Sequence, residues 1–172
     1  MNRRFVLGLC ATFVVQTVLV GTMVWSRASV LRTGQEITLR STFVDPRDIF
    51  RGHYVILNLL LETPDGEMDI EPGSPAYVTL REGDDGFWVA EAVHAQFPTG
   101  STAPVLKADR VYPTRIILPF DRYFADYERA QELENLRRNQ KLGVILALDG
   151  KGGAVIGGLT IDGEKIYDEP IL

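Results

Sequence analysis

Apolar positions fall in two regimes along this chain. From Phe5 to Trp25 they are continuous: the run holds no Asp, Glu, Lys, Arg or His, and Gln16 is its only strongly polar side chain. From Glu36 onward they alternate with polar positions in short blocks separated by Gly, Pro and Asp. The first regime predicts a membrane-spanning helix, because a helix rises about 1.5 Å per residue and about 20 apolar residues cross a hydrocarbon layer roughly 30 Å thick. The second predicts strands, whose side chains point alternately to opposite faces.

Glu36 to Phe43 alternates around Ile37, Leu39 and Phe43, as a half-buried strand does. His53 to Glu62 is a denser apolar run, suited to a central strand covered on both faces. Pro64-Asp65-Gly66 ends it with turn chemistry, and Ala76 to Arg81 alternates again. Glu82 to Gly86 reads as a tight loop leading into an aromatic strand from Phe87 to Phe97. Pro98 to Pro113 is richer in Pro, Gly, Ser and Thr and predicts a loop or weak edge, followed by a short strand at Arg115 to Leu118. Asp121 to Gln140 has no Gly or Pro and many helix formers, which predicts the one helix outside the membrane. Gly143 to Leu148 and Ala154 to Asp162 flank the glycine-rich Asp149 to Gly153, a hairpin signal.

The expected fold is mainly β (α+β): an N-terminal transmembrane helix followed by a single antiparallel β-sandwich or barrel-like domain with one packed helix. Residues 1–4 form a cytoplasmic tail, 5–25 the anchor, 26–35 a tether and 36–172 one extracytoplasmic domain. About 135 residues suffice for one core and are too few for two.

Charge sets orientation and limits partners. Arg3 and Arg4 precede the apolar run on a short tail, which keeps that tail in the cytoplasm and sends the rest outside. Small residues at Ser26 and Ala28 fit a signal-peptidase cut, yet the apolar run exceeds the roughly 7–15 residues usual for a cleaved signal. Cys10 is no lipoprotein site, since Leu9 precedes it and little apolar sequence lies upstream. Setting aside Arg3, Arg4 and Arg27 leaves 15 basic against 23 acidic side chains, near −8. Nucleic acid selects basic patches and is not an expected partner. With no cysteine after Cys10, the domain has no disulfide, Cys-type zinc site or thiol nucleophile.

Candidate chemistry is sparse. His53 and His94 lie on predicted strands and suit single structural roles better than a ligand pair. Ser41 lacks the context of a Ser–Lys peptidase. Asp45 with Asp48, Asp84 with Asp85, and Asp65 with Glu67 and Asp69 lack calcium-loop spacing and suit turns. Gly150 to Gly158 has no Gly-Lys-Ser/Thr ending and reads as hairpin glycine. No cofactor or metal is expected.

One segment exceeds strand and turn chemistry: Asp45, Pro46, Arg47, Asp48, Phe50, Arg51, Gly52, Tyr54 and Leu57 follow one another within a short stretch. Asp45 and Asp48 can cap backbone amides, and Arg47 and Arg51 can form forked bonds to those carboxylates. These residues predict a structural or binding corner that sets the register of the following strand. Their order resembles the signature of the bacterial GDYXXLXY proteins, named for Gly-Asp-Tyr-x-x-Leu-x-Tyr. Gly52, Tyr54 and Leu57 match it; His53 stands for the family Asp and Leu59 for its last Tyr. The likeness extends to the N-terminal membrane segment, to Arg122-Tyr123-Phe124 before a Glu-rich stretch, and to the closing hairpin. It implies no assigned activity, and family members tend to be encoded beside polytopic membrane proteins.

The resulting expectation is a non-enzymatic accessory module in the bacterial inner membrane, anchored in the lipid bilayer through residues 5–25 and docking on a polytopic inner-membrane protein. The alternative is a binding module for a small ligand, peptide or cell-envelope glycan, using Tyr54, Trp88 and the aromatic start of the predicted helix; a hydrolase ranks below both.

Overall fold

The computed structural model describes residues 3–44, 55–59, 61–64, 70–119, 122–123 and 141–168. It opens with helix α1, Arg3–Thr33. Within it, Val6–Thr33 is long and apolar enough to cross a membrane. Threonine hydroxyls in this run bond to their own helix, Thr12 to the Gly8 carbonyl at 3.0 Å and Thr17 to the Phe13 carbonyl at 2.9 Å, which removes their need for water.

Among the described residues eleven strands follow: β1 (Gln35–Val44), β2 (Val55–Leu59), β3 (Ala76–Glu82), β4 (Trp88–His94), β5 (Val105–Ala108), β6 (Arg110–Tyr112), β7 (Arg115–Ile117), β8 (Arg122–Tyr123), β9 (Leu142–Leu148), β10 (Ala154–Ile161) and β11 (Glu164–Asp168). They form a six-stranded sheet ordered β11-β10-β9-β1-β2-β8, a three-stranded sheet ordered β4-β3-β5 and the ribbon β6-β7. Every ladder is antiparallel, so the mainly β architecture stands; among the described residues no sheet closes into a barrel.

Alternation decides which face is core. Ile37 and Leu39 of β1, Val144 and Leu146 of β9 and Leu159 of β10 are almost fully buried and join Val78, Leu80 and Leu106 of the smaller sheet in one apolar cluster. Burying a side chain of this size contributes about 1.5–3 kcal/mol, so this seam between the sheets is the main source of stability. The hydrogen bond from Lys107 N to Gly152 O, at 2.8 Å, ties β5 to the β9–β10 turn.

The structure corrects several expectations. The strand buried along its whole length is β9; within the His53–Glu62 run, β2 lies between β1 and β8, with Leu59 half-buried and Leu61 buried, and the burial of residues 53–58 lies outside the described residues. Over residues 26–35 the link to the domain is helical: α1 continues to Thr33, with Ala28, Ser29, Val30 and Leu31 half-buried, and β1 begins at Gln35. The apolar run Val30-Leu31 gives the helix a packing face that its Ser and Arg neighbours mask. Pro98 to Pro113 contains β5 and β6, held by pairing with β3 and β7 despite their turn-rich surroundings. Beyond the predicted hairpin, a second one at Asp162–Gly163 adds β11 to the sheet. Within the predicted helix from Asp121 to Gln140, Arg122 and Tyr123 are extended, paired with Ile56 and Val55; the remainder lies outside the described residues.

Candidate functional site

At one end of the six-stranded sheet, four residues stand in a row across the ladders: Arg40 pairs with Gly143, Gly143 with Thr160, and Thr160 with Lys165. They share the face opposite the core, since Leu39, Val144 and Leu159 point the other way. Gly143 leaves a gap in this row, and its neighbours fill it. A Cβ there would lie 2.7 Å from Thr38 Cγ2 and 2.9 Å from Phe87 Cε1, and closer still to Thr160 Oγ1. Glycine inside a strand marks such a close approach.

Phe87 reaches this face because the β3–β4 turn folds back tightly. Gly83 N donates to the Phe87 carbonyl at 2.8 Å, and Phe87 N donates to Asp85 Oδ1 at 3.2 Å. Asp85 also pairs with Arg40, whose guanidinium lies 5.1 Å from the Phe87 ring centre. The Phe87 amide first, then the Arg40 guanidinium, hold the Asp85 carboxyl below its ordinary 3.8 against a partial desolvation. Aspartate at this turn thus does what its sequence context demands.

Thr38, Asp85, Gly86, Phe87, Lys141, Thr160, Asp162 and Gly163 line a groove of about 400 Å³. Thr160 is buried there, and among the described residues its hydroxyl has no hydrogen-bond partner. Asp162 Oδ1 accepts the Lys141 amide at 2.9 Å, which joins two residues of the groove's lining. Lys141 has no ion pair among the described residues. The groove offers a cation, carboxylates and hydroxyls around one aromatic edge, means for binding a polar group without a nucleophile–base pair. Among the described residues no cluster of His, Cys, Asp and Glu is placed to hold a metal.

Of the corner singled out in the sequence, Asp45, Pro46, Arg47, Asp48, Phe50, Arg51, Gly52 and Tyr54 lie outside the described residues, as does His53. The strands on either side are paired: Val44 stands opposite Ile56 and Phe43 opposite Leu57. His94 Nε2 lies 3.3 Å from Thr79 Oγ1, a structural contact on β4. Trp88 packs on the core cluster. Sequence pattern alone passed over Thr38, Lys141 and Thr160 as ordinary polar positions; the available signal was Gly143 within an otherwise apolar strand.

Neither a curated protein nor a solved structure matches the chain. The model of the GDYXXLXY protein family matches residues 16–159, from within α1 to within β10. A match of that extent takes in the later half of the apolar run, the signature and every strand from β1 to β9, and the chain belongs to the GDYXXLXY protein family.

Proposed function

We propose that this protein is a single-pass accessory subunit of the bacterial inner membrane, with its β-rich domain outside the cytoplasm and a polytopic membrane protein as its partner. Arg3 and Arg4 before the span support that orientation. The carrying observation is Gln16. It lies at the middle of the apolar run and, among the described residues, its amide has no partner, whereas Thr12 and Thr17 nearby are satisfied by their own helix. An amide at that depth gains a hydrogen bond only from another helix, an interaction worth about 1–2 kcal/mol in model peptides. A polytopic partner supplies helices at the required depth.

The test is copurification from gently solubilised membranes of cells carrying the tagged full chain. A co-recovered multi-span protein, depleted when Gln16→Leu replaces the wild type although the variant still inserts, supports docking. Equal recovery with Gln16→Leu, or none with either, refutes it. The groove around Thr160 supports a second use as a binding module for a polar ligand.

A further inference from the structure

Two contacts fix the direction in which α1 leaves the domain. At its end, Gly34 lies against the backbone of Leu148: a Cβ on Gly34 would sit 2.6 Å from the Leu148 carbonyl oxygen. One turn lower, Leu31 Cδ2 lies 3.8 Å from the Cβ position of Gly157, which is equally close to Ile145. Since Ile145 precedes Leu148 on β9, descending α1 from Gly34 to Leu31 is also descending β9 towards Leu142. The chain therefore reverses at Gly34, and β1 runs back alongside β9 from Leu148 at Gln35 to Gly143 at Arg40.

Continuing down the helix from Leu31 to Trp25 covers about 9 Å at its usual rise. Continuing along β9 from Ile145 to Lys141 covers about 13 Å. Both paths end near one level, and Trp25 closes the apolar run. We propose that the end of the six-stranded sheet bearing Lys141, the Asp162–Gly163 turn and Ile166 rests in the headgroup layer of the bilayer that α1 crosses. This rests on the anchoring stated under the proposed function. The opposite turn, Asp149 to Gly153, then points away from the membrane.

The chemistry of this end suits that layer, which is roughly 5–8 Å deep on each side of the hydrocarbon. Beyond Trp25, Ile166 is one of two exposed large apolar side chains among the described residues, at 42%. Lys141 is a cation without an ion pair among the described residues, and Arg40 and Lys165 stand on the adjoining row. Asp85 is engaged by Arg40, and Lys165 by Asp168 at 2.7 Å. Asp162 and Glu164 add negative charge at the turn. A surface of mixed sign with one exposed isoleucine matches zwitterionic headgroups rather than a strongly anionic layer.

The experiment uses the full chain with Cys10→Ser, reconstituted into phosphatidylethanolamine–phosphatidylcholine vesicles. A fluorophore is attached in turn at Ile166→Cys, at Lys151→Cys in the opposite turn and at Val15→Cys within the span. Unchanged melting temperatures establish that the labelled chains fold. A nitroxide on the lipid headgroup should abolish most fluorescence at 166 and leave that at 151, while an acyl-chain nitroxide should quench 15. Quenching at 15 with equal signals at 166 and 151, or with the order reversed, overturns the proposal and leaves the anchor standing. No quenching at 15 overturns the anchor and this proposal together.

Discussion

Gly143 stands opposite Thr160 on neighbouring strands, and the Thr160 hydroxyl occupies the space a side chain at 143 would need. That hydroxyl is buried without a partner among the described residues. An unsatisfied buried polar group costs about 1–3 kcal/mol, whereas a methyl of the same shape costs nothing comparable. Thr160→Val should therefore leave stability unchanged or raise the melting temperature of the full chain in detergent. Gly143→Ala should lower it through overpacking, by about 1–3 kcal/mol. Thermal unfolding followed by circular dichroism decides both signs.

The joint between membrane helix and domain depends on Gly34 in the same way. A Cβ there would strike the Val30 carbonyl and come within 2.6 Å of the Leu148 carbonyl oxygen, whereas a Cβ on Gly8 meets nothing within 4 Å. Gly34→Ala should lower the melting temperature, by about 2–4 °C for each kcal/mol lost in a domain of this size. Gly8→Ala should leave it unchanged, which separates crowding at the joint from a general effect of losing glycine.

Opposite pH dependences follow from two ion pairs. The Asp85 carboxyl is held below 3.8 in the fold, so its contribution is intact above that value and is lost as pH falls through the lower folded one. Lys165 is raised above 10.5 by its bond to Asp168, so its contribution is intact below that value and is lost as pH rises through the higher one. Melting curves across pH should show a shallower acid limb for Asp85→Asn and a shallower alkaline limb for Lys165→Met. Both groups are exposed and the effects should weaken in high salt.

How much of this was legible beforehand depends on strand length and on what covers each face. Long alternating or apolar blocks such as Gln35–Val44, Ala76–Glu82 and Leu142–Leu148 announce themselves, because burial on one or both faces writes itself into their pattern. Val105–Ala108 and Arg110–Tyr112 are too short to show a period, and Pro104 and Pro113 beside them read as loop. Glu164–Asp168 is an edge strand whose charged exposed positions hide it. The groove was illegible for another reason: Thr38 and Thr160 acquire meaning only once Gly143 brings them and Phe87 together. Residues adjacent in space but spread over three strands and a turn leave no spacing to read.

The turn between β10 and β11 gives the last prediction. Asp162 and Gly163 have φ of +51° and +88°, the pair of left-handed residues that a two-residue hairpin needs. Gly163→Ala should destabilise the hairpin, since an L side chain in that region costs about 1–2 kcal/mol. Asp162 tolerates the conformation and also accepts the Lys141 amide at 2.9 Å, so two contributions meet at one residue. Asp162→Asn keeps both and should melt like the wild type. Asp162→Gly keeps the conformation but loses the acceptor, and Asp162→Ala loses both. The expected order of melting temperature is Asn above Gly above Ala. If Gly falls as low as Ala, the hydrogen bond to Lys141 governs the turn; if Gly equals Asn, the backbone conformation governs it alone.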